Sequence, residues 1–139
     1  MSDRDRRLQV GLLVLRLTLG IFFLQWAIEK FVNPGRTLRI FGHLYQTTLP
    51  LELVPIMGIL KTALALVLLA GAFRRLTYGI AFVLHLVSVC VTWPLLINPY
   101  DPTTHNHVFL TGVPVLAALW LLYLVREKDA FSFDGWRAD

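Results

Sequence analysis

Four stretches of the chain are apolar almost without a break, and short polar segments separate them. They cover about 8–32, 53–73, 76–97 and 108–125. A helix needs about 20 mostly apolar residues to cross a bilayer, and each stretch comes near that length. Strict alternation of apolar and polar positions, the mark of strands, is missing, so a small barrel does not fit. The pattern predicts an all-α membrane protein: a four-helix transmembrane bundle forming one domain over 1–139. The first stretch is too long for the core of a signal peptide, so an uncleaved first helix is expected.

The first stretch stops at Asn33-Pro34-Gly35. Beyond it Arg36, Arg39, His43 and Gln46 recur at helical spacing, with Leu38, Ile40, Phe41, Leu44 and Tyr45 filling much of the rest. This predicts a short amphipathic helix on the outer membrane face. It reads either as a lid on the bundle or as a basic rim that guides an anionic substrate or partner.

Loop charges give an orientation. Arg4, Arg6 and Arg7 precede the first span, Arg74 and Arg75 lie between the second and third, and Arg126, Lys128 and Arg137 follow the fourth. The other side carries Arg36 and Arg39, and none in its 98–107 loop. Positive-inside logic puts both termini in the cytoplasm. The tail from Glu127 to Asp139, with Phe131, Phe133 and Trp136, is expected along the inner interface.

Composition narrows the functional classes. With 56% hydrophobic and 16% charged residues, the chain has too little charge to cover a soluble domain. A disordered tail, a coiled coil and a nucleic-acid module are excluded. The net charge of +4 therefore reads as orientation and contact with anionic headgroups of the lipid bilayer. The single cysteine, Cys90, allows no intrachain disulfide and no dithiol relay.

Ionisable groups inside a membrane cost about 2.5–3.5 kcal/mol each, so they face the bundle interior and find partners. Arg16, about 12 Å into the first span, and His85, about 14 Å into the third, fall at similar depths. Ala81, His85, Ser88 and Thr92 share one face, which small and polar residues mark as internal. Arg16 and His85 are thus candidates for binding a polar headgroup. The alternative is structural: His85 bonds a neighbouring helix, and Arg16 caps a carbonyl or snorkels. A second constellation joins Glu29, with Gln25 one turn below, to Lys61 on the internal face of Gly58, Lys61, Thr62 and Ala65. A Glu29–Lys61 pair is expected, with Lys30 rotated away toward the headgroups. It reads as a structural ion pair or as the floor of an outward pocket. A third group, Asp101, His105 and His107, with Tyr100 and His43 nearby, is a candidate copper or zinc site. Turn chemistry explains the same residues. Haem held by this chain alone is not expected, since His85 has no histidine at its own depth.

Leu15-Arg16-Leu17-Thr18-Leu19-Gly20, Phe22-Phe23-Leu24, Lys30-Phe31, Gly58, and Leu69-Ala70-Gly71-Ala72-Phe73-Arg74-Arg75-Leu76 make the chain similar to the DoxX-like family of small four-helix bacterial membrane proteins. The resemblance implies a multi-pass protein of the bacterial inner membrane. It also implies a redox setting, since the namesakes are linked to a membrane thiosulfate:quinone oxidoreductase. Family members often carry a glutamate about three residues after the second-helix glycine, where this chain has Lys61. Glu29 then supplies the acid, with the ends of the pair exchanged.

Three functional expectations follow. The first is a small membrane subunit or accessory factor of a redox system, contacting a quinone or a larger membrane or periplasmic partner through Arg16 and His85. The second is a small solute or metal-ion permease or binding module, lined by Glu29, Lys61 and the loop histidines. The third is a scaffold whose polar groups only specify packing. Gly58, Thr62 and Ala65 serve packing within one bundle or in a homo-oligomer. An autonomous enzyme is not expected. The sequence offers no nucleophile–base–orienter set, no phosphate-binding glycine loop and few intramembrane carboxylates.

Overall fold

The computed structural model describes residues 3–101 and 106–137, with side chains for all of these except 106–108. The described residues are all-helical. The helices are α1 (Asp3–Val32), α2 (Pro34–Leu44), α3 (Leu53–Ala70), α4 (Arg74–Val91), α5 (Trp93–Ile97), α6 (Gly112–Leu124) and α7 (Phe133–Trp136). Three of them, α1, α3 and α4, are long and apolar enough to cross a membrane. The fourth apolar stretch is shorter as a helix, Phe109–Leu124.

Two prolines account for the differences from the expected spans. The third stretch does not run through to Ile97. Pro94 has no N–H to donate and its ring crowds the preceding turn, so α4 ends at Val91 and α5 begins afresh at Trp93. In the fourth stretch the chain winds as a 3₁₀ helix over Asn106–Thr111 before α6 starts at Gly112. Pro114 then falls in the first turn of α6, where a missing N–H costs nothing.

The four apolar helices α1, α3, α4 and α6 pack in a ring in which α1 lies chiefly against α3, and α4 against α6. Along α1 the buried positions are Gln9, Leu12, Arg16, Leu19, Gly20, Phe23, Ala27 and Lys30, a stripe that recurs at three- and four-residue spacing. Two glycines set how α1 meets α3. A Cβ at Gly20 would fall 2.5 Å from the Leu69 side chain, and one at Gly58 would fall 2.7 Å from the Phe31 ring. These contacts are eleven residues apart on both helices, so the antiparallel pair is in register between them. Leu12, Leu19, Phe23, Ala65, Leu68, Tyr78, Ala81, Leu119 and Leu122 form the core.

The α3–α4 turn is a Schellman motif. Gly71 at φ 68° donates to Leu68 O, and Ala72 donates to Val67 O. At the other end of α1, the Asn33 side chain accepts from Arg36 N and Pro34 sits in the first turn, which starts α2 as the sequence predicts. Arg36, Arg39 and His43 are exposed on α2, while Leu38, Ile40, Phe41 and Leu44 are half-buried.

Candidate functional site

Polar side chains collect at two levels of the bundle, one near the chain termini and one near α2.

At the terminal end Arg16 is the centre. It is 2% exposed and lies 3.1 Å, Nε to Oδ2, from fully buried Asp129. Its Nη1 donates to Leu69 O at 2.5 Å and its Nη2 to Phe131 O at 2.7 Å. The Tyr78 hydroxyl donates to the same Asp129 oxygen at 2.7 Å. Around them Ala130 N donates to Gln9 Oε1, Arg74 Nη1 to Asp129 O, and Arg74 N to Asp134 Oδ2. Ser132 caps α7 by accepting from Gly135 N. The chain after α6 is thereby tied to α1, to the α3–α4 turn and to α4. The two charges compensate each other and carbonyls take the terminal guanidinium donors, as a buried ion pair requires, while Asp129 Oδ1 is buried without a hydrogen-bond partner.

Arg16 and His85 are not brought together. Helical side chains lean toward their own N-terminus, so Arg16 reaches down to the level of Gly71 and the tail. His85 lies higher, with its ring centroid 5.6 Å from that of Phe22 and 6.4 Å from that of Phe23. Its Nε2 is 2.9 Å from Gly112 O. A carbonyl only accepts, so Nε2 carries the proton and donates. Ser88 and Thr92, on the same side of α4, turn their hydroxyls back to carbonyls of their own helix.

At the α2 end the structure corrects the expected Glu29–Lys61 pair. Glu29 bonds Arg36 of α2, Oε1 to Nη1 at 2.8 Å. The turn at Asn33-Pro34 brings Arg36 back over Glu29, and the packed stripe of α1 runs through the next residue instead. Lys30 is 6% exposed, not directed to the headgroups. Its Nζ donates to Trp26 O at 3.2 Å, so the amine points down the helix. The register set by Gly20 and Gly58 places Lys61 opposite the turn between Trp26 and Lys30. Lys61 is half-buried, and the Lys30 charge reaches it. The Lys61 charge also reaches His85. Lys30 feels the carboxylate of its chain neighbour Glu29, but among the described residues neither lysine has an ion-pair partner within 4.0 Å. Gln25, expected below Glu29 on an inward face, is exposed. Thr62 satisfies its own hydroxyl on Gly58 O.

Of the third group, Asp101 is half-buried and Tyr100 exposed. His105 and the side chain of His107 lie outside the described residues. Among the described residues no three of His, Cys, Asp and Glu gather in a way that would hold a metal ion.

Sequence reasoning missed Asp129, Tyr78 and Lys30. The signal for Lys30 was present: the stripe Gln9, Leu12, Arg16, Leu19, Phe23 continues to Lys30 and not to Glu29. Asp129 had no such signal, because Glu127, Asp129 and Asp134 follow the last span at equal claim. The chain was compared with protein-family models, with curated proteins and with solved structures, and none matches.

Proposed function

We propose that this protein is a small integral membrane binding module that holds a small anionic ligand between α1 and α3, at the end capped by α2. In this reading four helices cross the inner membrane of a bacterium, both termini are cytoplasmic, and the site opens to the outer side. The observation that carries it is the pairing of Lys30 with Lys61. The α1–α3 register sets Lys61 opposite the turn from Trp26 to Lys30, the Lys30 charge reaches Lys61, and the acid next in the chain is engaged by Arg36. Each buried charge costs about 2.5–3.5 kcal/mol in a membrane, and their repulsion adds to that. An oxyanion or carboxylate between them removes the repulsion and accepts charge-assisted hydrogen bonds from both amines. Exposed Arg39 on α2 adds positive potential along the approach. Binding is favoured over passage through the bundle because the Arg16–Asp129 knot fills the far end.

A second reading, a redox accessory subunit that contacts a quinone, draws on His85. Its ring stands edge-on to Phe22 and close to Phe23, with the Lys61 charge in reach. A quinone offers a flat ring to such an aromatic wall and a carbonyl acceptor to the lysine. Arg16 has no part in it, since both its terminal nitrogens are engaged. The resemblance to the DoxX-like family favours this reading.

Calorimetric titration of the purified protein in lipid nanodiscs tests both, with sulfate, phosphate and a short-chain quinone as probes. Saturable oxyanion binding that weakens by about tenfold or more in Lys61→Met is expected, the loss of one charge-assisted contact. Quinone binding that oxyanions do not compete with supports the second reading instead. If none of the three probes binds, both fall and the scaffold remains.

A further inference from the structure

One side of α4 carries a hollow of about 320 Å³, lined by Arg75, Leu76, Gly79, Ile80, Val83 and Leu84. Gly79 is its floor, and the Tyr123 ring of α6 stands beside it, 3.4 Å from where a Cβ on Gly79 would lie. From Arg75 to Leu84 the hollow runs about 14 Å along the helix. The hydrocarbon of a bilayer is about 30 Å thick, so the hollow has the depth of one leaflet. Its mouth is at the terminal end, where Arg75 is exposed and its guanidinium has no ion-pair or hydrogen-bond partner among the described residues. A second arginine stands close by. Phe82 meets Trp120, with ring centroids 5.3 Å apart, as Gly79 meets Tyr123. This antiparallel register brings Arg75 level with the chain just after α6, where Arg126 and Glu127 lie. Arg126 is laid over the Tyr123 ring, 4.5 Å from its centroid, and its Nη1 donates to Tyr123 O at 2.8 Å. Its Nε is 3.3 Å from Glu127 Oε1 but buried without a hydrogen bond.

We infer that this hollow holds one acyl chain of a phospholipid with a net negative headgroup, whose phosphate lies between Arg75 and Arg126. Length, lining and charge agree on that occupant. Beyond Arg75 every lining side chain is apolar or absent, which suits a hydrocarbon chain. The hollow stops at Leu84, about mid-depth, where a chain from one leaflet also ends. A helix of a partner protein would instead need a seam that continues across the bilayer. At the mouth Arg75, Arg126 and exposed Lys128 outnumber Glu127. A zwitterionic headgroup would bring its own ammonium to these cations, whereas an anionic one brings only the charge they attract. Guanidinium presents its donors in a fork that fits phosphate oxygens, and Arg126 is held in place by its stack on Tyr123. The inference rests on the spanning reading of the helices. It is independent of the lysine site, which lies at the other end of the bundle.

The test uses the full chain in mild detergent, with native mass spectrometry as phosphatidylglycerol or phosphatidylcholine is added. One phosphatidylglycerol should be retained, about fivefold or more tighter than phosphatidylcholine. Arg75→Gln should weaken that binding about fivefold, the worth of one cation beside the headgroup. Arg4→Gln, at an exposed arginine of the same end, should leave it unchanged. Gly79→Leu fills the hollow at its floor, and Val83→Phe fills it from an exposed position. Both should abolish the preference although every cation remains. Equal retention of the two lipids, equal effects of Arg75→Gln and Arg4→Gln, or an undiminished preference in the filled variants would overturn the inference. So would a photo-crosslinker at position 83 that captures a second copy or another protein in native membranes. Release of the protein from membranes by alkaline carbonate would overturn the spanning reading, and this inference with it.

Discussion

The two ends of the bundle treat buried cations in opposite ways. At the terminal end Arg16 meets a carboxylate, a tyrosine hydroxyl shares that carboxylate, and two carbonyls take the remaining donors. At the α2 end the register brings Lys61 opposite the turn that ends in Lys30, and the nearby acid has turned to α2. Both ends sit on the same stripe of α1 and against the same neighbour, α3. The first arrangement pairs its charges within the chain, with Asp129 Oδ1 left without a hydrogen-bond partner, and it fixes where the tail lies. The second leaves two lysines without an ion-pair partner among the described residues, which is the basis of the proposed anion site. Glu29 offsets part of the Lys30 charge, but neither lysine has an ion-pair partner within 4.0 Å among the described residues.

The largest expected effect lies at the terminal end. Arg16→Met leaves Asp129 buried without its cation and should cost about 3–5 kcal/mol of unfolding free energy. Chemical unfolding in detergent micelles measures it. Arg16→Met combined with Asp129→Leu should recover most of the loss, because no unpaired charge then remains. Failure of the double variant to recover would mean that the ion pair is not the origin of the cost.

Tyr78→Phe comes next. It removes the buried bond from the hydroxyl to Asp129 while keeping the ring, and a hydrogen bond to a charged group is worth about 1.5–3 kcal/mol. The same unfolding experiment should show a smaller loss than Arg16→Met. Proteolysis should cut the chain after α6 faster, since the hydroxyl helps hold that segment.

The smallest effect is at Glu29. Its pair with Arg36 is partly open to solvent, and pairs of that kind contribute about 0–1 kcal/mol. Glu29→Gln should leave stability nearly unchanged. It removes the negative charge closest to Lys30, so it should strengthen oxyanion binding, which titration in nanodiscs reads. Weaker oxyanion binding in this variant would place Glu29 in the site rather than beside it.

Much of the architecture was legible in the sequence because it rests on long runs and strong punctuation. Continuous apolar stretches gave the helices, and Asn33-Pro34 followed by an amphipathic period gave α2. What failed was finer than a helical turn or longer than local pattern. Glu29 and Lys30 are neighbours about 100° apart, and a window of helical period admits either as the inward residue. The choice was made by Gly20 and Gly58, whose close contacts fix the face of α1 that meets α3. Arg16 was visible as a buried charge, but its partner lies in a tail with four acids, and only the folded chain singles out Asp129. The prolines at 94 and 114 were diluted by apolar neighbours, so α4 and α6 read longer than they are.

The most direct test is to turn the second end into a copy of the first. Lys61→Glu places a carboxylate opposite Lys30, and unfolding in detergent compares it with the unchanged protein in buffer free of oxyanions. The account predicts that Lys61→Glu is more stable, by about 1–3 kcal/mol, since a buried like-charge contact becomes a paired one. A variant less stable than the unchanged protein would contradict the claim that the Lys30 charge bears on Lys61 with no carboxylate paired to either lysine.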